Sequence, residues 1–210
     1  MASILVINPK GGAGKTTLAT NVAGYLARSG ESVALGDLDR QQSALAWLGF
    51  RSDTLPQVSG FDARASWMPP SGVGTVVIDG PAGIHGAELR RALRNADRVL
   101  IPVQPSLFDM SATEDFLGDV VSEQTGRTGA DYVALVAMRV DPRTRTAGML
   151  ERFLAHFDLP VLTYLRDTQI YPLAGTQGRS IFDLAPSRAR RELENWQPLT
   201  AWLDRAVVQR

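Results

Sequence analysis

The chain has 210 residues, 22 of them basic and 22 acidic, and carries no net charge at neutral pH. This length fits one domain with a large buried core, and neutrality argues against a protein that coats nucleic acid or membrane by bulk charge. With no cysteine and only two histidines, disulfides, iron–sulfur clusters and thiolate metal sites are excluded, and a histidine-rich metal site is disfavoured.

Short apolar runs typical of buried strands alternate along the chain with segments of helical spacing. The runs predict strands at Ile4–Ile7, Ser32–Leu38, Thr75–Ile78, Arg98–Val103, Tyr132–Val140 and Pro160–Leu165. The spacing predicts helices at Thr16–Arg28, Gln41–Leu48, Gly86–Asn95, Ser111–Glu123, Arg143–Phe157 and Ser187–Gln209, where Pro198 interrupts one helix or separates a pair. Residues 49–73 give no clear prediction. The alternation predicts a single α/β domain over residues 1–210, with a doubly wound, mostly parallel sheet covered by helices on both faces.

A glycine-rich loop, Asn8–Thr17, joins the first predicted strand to the first helix and reads NPKGGAGKTT. Glycines let the backbone curl so that several N–H groups face one anion, and the helix N-terminus adds a positive dipole end. In such a loop Lys15 is placed to contact the β- and γ-phosphates of a nucleotide, Thr16 to ligate Mg²⁺ and Thr17 to donate to the α-phosphate. A dinucleotide fingerprint and a regular Walker A loop are both excluded, because Thr17 and Pro9 stand where each requires glycine.

The loop resembles the deviant Walker A motif, K-G-G-x-G-K-[ST], of the ParA/MinD group of P-loop ATPases. The resemblance implies ATP and Mg²⁺ as ligands and makes Lys10 the group's signature lysine, which reaches the partner's phosphates across a nucleotide-sandwich dimer. Of the 22 basic residues, Lys10 and Lys15 are the only lysines, and a compact ammonium fits among phosphate oxygens better than a planar guanidinium. The expected nucleotide contacts in the loop are Lys10, Gly11, Gly12, Ala13, Gly14, Lys15, Thr16 and Thr17.

Carboxylates follow two of the predicted strands. Asp37 and Asp39 lie on the same side of an extended chain after the second strand, and Asp79 ends the apolar strand Thr75–Ile78. Doubly wound folds bind ligands at this edge of the sheet, although Asp39 alone also suits a helix N-cap. The two segments resemble the switch I motif D-x-D-P-Q and the Walker B strand of the same group. The resemblance implies that Asp37 holds a Mg²⁺-bound water, Asp39 orients the attacking water and Asp79 belongs to the Mg²⁺ shell, with Arg40 in place of the usual proline.

Arginines mark two further candidate regions. Arg139 ends the strand that begins at Tyr132, where the group often places a residue near the adenine, although a plain surface arginine fits equally well. The second region is a cluster near the C-terminus formed by Arg179, Arg188, Arg190 and Arg191. A charge cluster is usually a solvated helix face, but ParA-like proteins bind DNA without sequence preference through basic residues in this region. A modest patch doubled in a dimer gives binding that nucleotide can switch.

The resemblance implies a positioning ATPase with Lys10, Lys15 and Asp39 as catalytic residues. ATP drives homodimerisation, the dimer binds DNA non-specifically, and a ParB-like or small basic adaptor protein stimulates hydrolysis and resets the cycle. The cargo is a plasmid, a chromosome or a protein compartment such as a carboxysome. We expect a cytoplasmic, nucleoid-associated protein, because no apolar run reaches the ~18 residues that span a bilayer.

Two alternatives remain at the level of sequence. The first is a MinD-like membrane-associated ATPase, since the C-terminal stretch Leu193–Val207 is amphipathic. Pro198 and several acidic residues in that stretch disfavour a membrane helix and favour packing in the core. The second is an amidoligase or synthetase with a related loop, for which the sequence offers no small-molecule motif.

Overall fold

A computed structural model describes residues 1–123 and 132–208 of the chain. The strands are β1 (Ala2–Val6), β2 (Val33–Asp37), β3 (Val58–Asp62), β4 (Thr75–Asp79), β5 (Arg98–Val103), β6 (Val133–Val140) and β7 (Val161–Arg166). The helices are α1 (Lys15–Arg28), α2 (Ser43–Gly49), α3 (Gly86–Arg94), α4 (Leu107–Ser122), α5 (Arg145–Leu154), α6 (Ile170–Gly175) and α7 (Pro186–Val208), with a 3₁₀ turn at Ile181–Asp183.

Within the described residues the strands form one seven-stranded sheet in the order β3-β2-β4-β1-β5-β6-β7. Every neighbouring pair is parallel. The chain places β2, β3 and β4 on one side of β1 and β5, β6 and β7 on the other. This reversal at β1 is the position where doubly wound sheets bind ligands, outside the carboxyl ends of the strands. The predicted doubly wound parallel sheet is confirmed.

The first strand contributes to both hydrophobic cores. Ile4 and Val6 face a core covered by α1 and α7, whereas Leu5 and Ile7 face the opposite core, covered by α3, α4 and α5. All four side chains are fully buried. Because successive side chains of a strand point to opposite faces, an uninterrupted apolar run requires helices on both faces. The strand that leads into the loop is therefore held by packing on both faces of the sheet.

One strand falls in the segment 49–73 that gave no prediction. The strand β3 pairs in parallel with β2 at the edge of the sheet. Val58 is buried, but Ser59 and Gly60 are exposed. An edge strand of this composition has neither the apolar run of a central strand nor a regular alternation, so periodicity did not reveal it.

The predicted interruption at Pro198 is wrong, because α7 continues through this residue. The proline is exposed, whereas Trp196, Leu199 and Trp202 are buried against the sheet. Packing of these side chains offsets the ~3 kcal/mol that a proline costs inside a helix. The amphipathic stretch therefore packs in the core, as expected. No helix among the described residues combines the length and hydropathy needed to cross a bilayer.

Candidate functional site

The glycine-rich loop leaves the carboxyl end of β1 and turns directly into α1, which begins at Lys15. Gly12 and Gly14 have φ angles of 80° and 96°, which glycine adopts without strain. Gly14 also lies close to β6, because a Cβ atom at this position would stand 2.9 Å from Cε of Met138. The loop and the helix N-terminus together have the geometry that binds phosphate.

Lys15 is the buried cation of this loop, with 7 % of its surface exposed. Its Nζ donates a 2.8 Å hydrogen bond to the carbonyl oxygen of Lys10. Burial lowers the pKa of Lys15, and the negative charges of Asp79 and Asp39 act in the opposite direction. The structure thus brings the predicted phosphate-binding lysine close to two of the predicted carboxylates.

Asp79 ends β4 and lies against the start of α1. Oγ1 of Thr16 donates a 2.6 Å hydrogen bond to Oδ2 of Asp79. Among the described residues, Oδ1 of Asp79 is the buried side-chain polar atom left without a hydrogen-bond partner. Burial raises the pKa of Asp79 to about 7, and the nearby charge of Asp37 adds to this rise, while the Thr16 hydrogen bond opposes it. A hydroxyl oxygen beside an unpartnered carboxylate oxygen fits the all-oxygen ligand set that Mg²⁺ prefers.

Asp37 lies beside Asp79, because the two residues are paired in the register of β2 and β4. Its carboxylate is fully buried and accepts hydrogen bonds from the backbone N–H groups of Asp39 (2.9 Å), Ala44 (2.9 Å) and Leu45 (3.4 Å). Burial raises its pKa, and these hydrogen bonds oppose the rise. Asp37 therefore fixes the loop after β2 to the start of α2, and its contact with a Mg²⁺-bound water stays a prediction.

Asp39 connects the loops that follow β2 and β4. Its Oδ1 accepts a 2.9 Å hydrogen bond from the N–H of Gln41, and its Oδ2 accepts one of 3.3 Å from the N–H of Ala82. The contact with Gln41 is local, whereas the contact with Ala82 joins the loop of the predicted switch I motif to the loop that follows β4. Its role towards the attacking water stays a prediction.

Two cavities adjoin along the loop. The first has a volume of about 300 Å³ and is lined by Gly11, Gly12, Gly14, Lys15, Thr16, Thr17, Asp39, Gln41, Ser43, Gly80, Ala82 and Arg139. The second has a volume of about 320 Å³ and lies between the loop, the end of β6 and the segment from β7 into α6. Gly14, Thr17 and Arg139 line both. Two adjoining cavities along the loop leave room for the phosphates and the nucleoside of one nucleotide.

An irregularity in β6 places Arg139 between the two cavities. Its φ angle is 52°, in the left-handed region, and the pairing of β6 with β7 shifts register between Ala137 and Val140. A bulge of this kind re-aims a side chain, and Arg139 is exposed while its neighbours are buried. Sequence reasoning placed Arg139 near the adenine; the structure places it on the boundary between the two cavities.

The sequence matches a family model described as the CobQ/CobB/MinD/ParA nucleotide binding domain, over residues 4–181. The chain belongs to this family. The predicted resemblance to the ParA/MinD group is confirmed, and the matched residues include the glycine-rich loop, all three candidate carboxylates and Arg139.

Relatives within the family match most of the chain. "Maintenance of carboxysome distribution protein A" from Gloeobacter kilaueensis is 30 % identical over 96 % of this chain and 94 % of its own length. "Chromosome-partitioning ATPase Soj" from Thermus thermophilus is 28 % identical over 73 % of this chain and 76 % of its own. A solved complex of a Cyanothece McdA variant with ATP has the same fold, with a TM-score of 0.71, 19 % identity and coverage of 95 % and 96 %.

A basic groove lies beside the second cavity. The groove has a volume of about 610 Å³ and lies between α6 and the start of α7. Four arginines line it, against one acidic residue, Glu192: Arg166, Arg188, Arg190 and Arg191. Three of the four predicted DNA-binding arginines therefore share this groove. Arg179 is not among its lining residues, and its carbonyl instead accepts a hydrogen bond from Trp47 Nε1.

Sequence reasoning missed one contact of the glycine-rich loop and one charged residue that interacts with the candidate carboxylates. Nε2 of Gln104, after β5, donates a hydrogen bond to the carbonyl oxygen of Gly12 in the loop. Arg64 follows β3 and donates two hydrogen bonds to the carboxylate of Asp62. Asp62 raises the pKa of Arg64, and the negative charges of Asp37 and Asp39 add to this rise. The strand order was needed to find both, because β5 and β3 reach the site only through their neighbours in the sheet.

Proposed function

We propose that this chain is an ATPase of the ParA type that uses ATP and Mg²⁺ to dimerise, bind DNA and position a cargo. The observation that carries the proposal is the loop after β1. Lys15, Thr16 and Asp39 line one cavity there, Thr16 is hydrogen-bonded to Asp79, and a second cavity shares residues with the first. The family match and the relatives that partition chromosomes or distribute carboxysomes support the same conclusion.

The proposed reaction is in-line attack of water on the γ-phosphate of ATP. Asp39 orients the water, and Lys15 and Lys10 meet the charge that develops on the phosphate oxygens. Thr16 and Asp79, with Asp37 through water, are the residues that would hold Mg²⁺. Mg²⁺ held there would neutralise part of the charge on the phosphate oxygens. Lys10 completes the site of the partner subunit in the ATP-dependent homodimer, as its match to the signature lysine implies.

Nucleotide-dependent DNA binding is proposed for the basic groove. Arg188, Arg190 and Arg191 lie in the first turns of α7, where the helix N-terminus adds positive potential. The groove and the second cavity share a wall, because Arg166 and Thr168 line both. A base bound in the second cavity would contact the segment from Arg166 to Thr168, which also lines the groove. A dimer presents two copies of the groove to one DNA duplex. The overall affinity rises, although each copy makes the same contacts as before.

The biological role follows from the relatives. We propose that the cargo is a plasmid, a chromosome or a protein compartment such as a carboxysome. A ParB-like or small basic adaptor protein on the cargo stimulates hydrolysis and returns the protein to the unbound state. The protein is then cytoplasmic and associated with the nucleoid. Membrane association is disfavoured, because Trp196, Leu199 and Trp202 are buried within the domain.

Co-sedimentation with DNA of random sequence tests the proposal, with ATP, ADP or no nucleotide. We expect retention with ATP alone, and a steep loss of retention with added salt. Changing Arg188, Arg190 and Arg191 together to alanine should reduce retention and flatten the salt slope. The matched control changes the three exposed arginines of α3, Arg90, Arg91 and Arg94, and should leave retention unchanged. Retention that is independent of nucleotide, or ATP-driven binding to anionic liposomes instead, would contradict the proposal.

A further inference from the structure

Asn8, at the start of the glycine-rich loop, is a buried polar residue with no assigned role. Its exposed fraction is 1 %. Its Nδ2 donates a 2.8 Å hydrogen bond to the carbonyl oxygen of Pro102 in β5 and contacts Oγ1 of Thr113 in α4 at 3.3 Å. Its Oδ1 accepts a 2.8 Å hydrogen bond from the N–H of Lys10. The orientation of the amide is determined, since a carbonyl oxygen needs a donor and an N–H needs an acceptor.

The contacts of Asn8 fix one of the two peptide groups that flank the Cα atom of Lys10. The other peptide group is held by Lys15, whose Nζ donates to the Lys10 carbonyl oxygen at 2.8 Å. Holding both peptide planes sets φ and ψ of Lys10 and therefore the direction of its Cα–Cβ bond. The origin of the Lys10 side chain is thus set by two hydrogen bonds, one on each side.

Nucleotide binding affects only one of these two hydrogen bonds. When Nζ of Lys15 turns to a phosphate, the carbonyl oxygen of Lys10 loses that donor. Asn8 does not contact the cavity and keeps its hydrogen bonds to Pro102 and Lys10. Asn8 then still connects the Lys10 N–H to β5 and α4.

We propose that Asn8 is a positioning residue for Lys10 and that it transmits the position of the β5–α4 connection to the phosphate site. This inference rests on the proposed function, in which Lys10 meets charge on the phosphates. Asn8 itself touches no reacting atom. Its effect should therefore appear in turnover and ATP-dependent dimerisation, and not in the affinity of the monomer for nucleotide.

A double-mutant cycle between Asn8→Ala and Lys10→Ala tests the inference. Asn8→Ala should lower kcat by about 10- to 100-fold, the loss typical of a misplaced catalytic group. The monomer's dissociation constant for a fluorescent ATP analogue should stay close to that of the wild type. In the Lys10→Ala background, Asn8→Ala should cause no further loss of kcat. Where kcat is too low to measure, the cycle is read from the dimer dissociation constant with a non-hydrolysable ATP analogue.

Two further variants separate positioning from stability. Thr113→Val removes the longer contact and keeps the Asn8–Pro102 hydrogen bond, so kcat should stay near the wild-type value. Asn8→Ser keeps a hydroxyl oxygen that can accept from the Lys10 N–H, as in an ST-turn, but is too short to donate to Pro102, so it should retain more activity than Asn8→Ala. Asn8→Ser also replaces Asn8→Ala in the cycle if the alanine variant does not fold.

Each outcome decides one point. Equal losses of kcat from the Asn8 substitution with and without Lys10 would overturn the inference, because the residue would then act independently of Lys10. Weakened nucleotide binding by the Asn8→Ala monomer would overturn it too. Wild-type turnover by Lys10→Ala would instead refute the proposed role of Lys10.

Discussion

The hydroxyl of Thr16 and the carboxylate of Asp79 are joined by a 2.6 Å hydrogen bond that links the first turn of α1 to the end of β4. The bond uses Oδ2 of Asp79 and leaves the buried Oδ1 without a partner in the described structure. Two predicted Mg²⁺ ligands from distant parts of the sequence are therefore adjacent before any cation binds. The arrangement costs stability, because a buried carboxylate with one hydrogen bond resists ionisation.

Asp79→Asn should abolish Mg²⁺-dependent hydrolysis while making the metal-free protein more stable at alkaline pH. The folded protein holds the Asp79 proton up to pH about 7, whereas an unfolded chain releases it near 3.8. Because the folded state binds the extra proton between these values, its stability falls as pH rises from about 4 to 7, by at most ~4 kcal/mol. Urea unfolding without Mg²⁺ at pH 5 and pH 8 checks this. The wild type should lose stability over this range, and the variant should lose less.

Lys15→Ala should weaken nucleotide binding by the monomer at least ~100-fold, because it removes the buried cation of the loop. Lys10→Ala is the matched variant, with the same change of charge in the same loop. It should keep most of the monomer's affinity, but it should slow hydrolysis and weaken ATP-dependent dimerisation. Titration with a fluorescent ATP analogue and sizing of the ATP complex distinguish them. Similar affinities for the two variants would refute the separate roles of the two lysines.

Asp39→Ala should slow hydrolysis by about 10²- to 10⁴-fold and trap the ATP-bound dimer, because it removes the group that we propose orients the attacking water. The substitution also removes the hydrogen bond to the Ala82 N–H. Asp39→Asn serves as a control, since its amide oxygen can still accept from Ala82. Phosphate release should be slow in both variants if the charge of Asp39 acts on water. Restored hydrolysis in Asp39→Asn would show that only the loop contact matters.

Asp183→Asn should destabilise the protein by ~3–5 kcal/mol, because it leaves Arg51 buried without its counter-charge. The ion pair is 2.9 Å long, and its side chains are 3 % and 0 % exposed. Burial alone would raise the pKa of Asp183, but hydrogen bonds from Arg51 and Ser180 outweigh it, so the pKa is lowered. The stabilisation is therefore present above pH about 3.8 and is lost as pH falls below it.

Asp141→Asn provides the comparison for the buried pair. Asp141 forms a 2.8 Å ion pair with Arg143, whose side chain is 87 % exposed. An ion pair in contact with water contributes little to stability, so this substitution should leave the urea midpoint almost unchanged. Equal effects of Asp183→Asn and Asp141→Asn would contradict the importance of burial.

The central strands and the glycine-rich loop could be predicted because each residue pattern is compatible with only one kind of local structure. A fully apolar strand such as Ile4–Ile7 must be covered on both faces, and a loop with glycines before a helix binds anions. The edge strand β3 and the continuous helix at Pro198 could not be predicted, since tertiary packing decides both. The contacts of Asn8, Gln104 and Arg64 could not be predicted either, because they depend on which strands are neighbours in the sheet.

The confinement of lysine to one loop gives the protein a built-in chemical reporter. Lys10 and Lys15 carry every side-chain amine of the chain, and Nζ of Lys15 is tied to the Lys10 carbonyl oxygen. Acylating reagents directed at side-chain amines therefore label the nucleotide site and nothing else except the chain's N-terminal amine. A lysine-specific protease likewise has its only cleavage sites in this loop. Mass spectrometry after either treatment reads the occupancy of the site directly, without any introduced label.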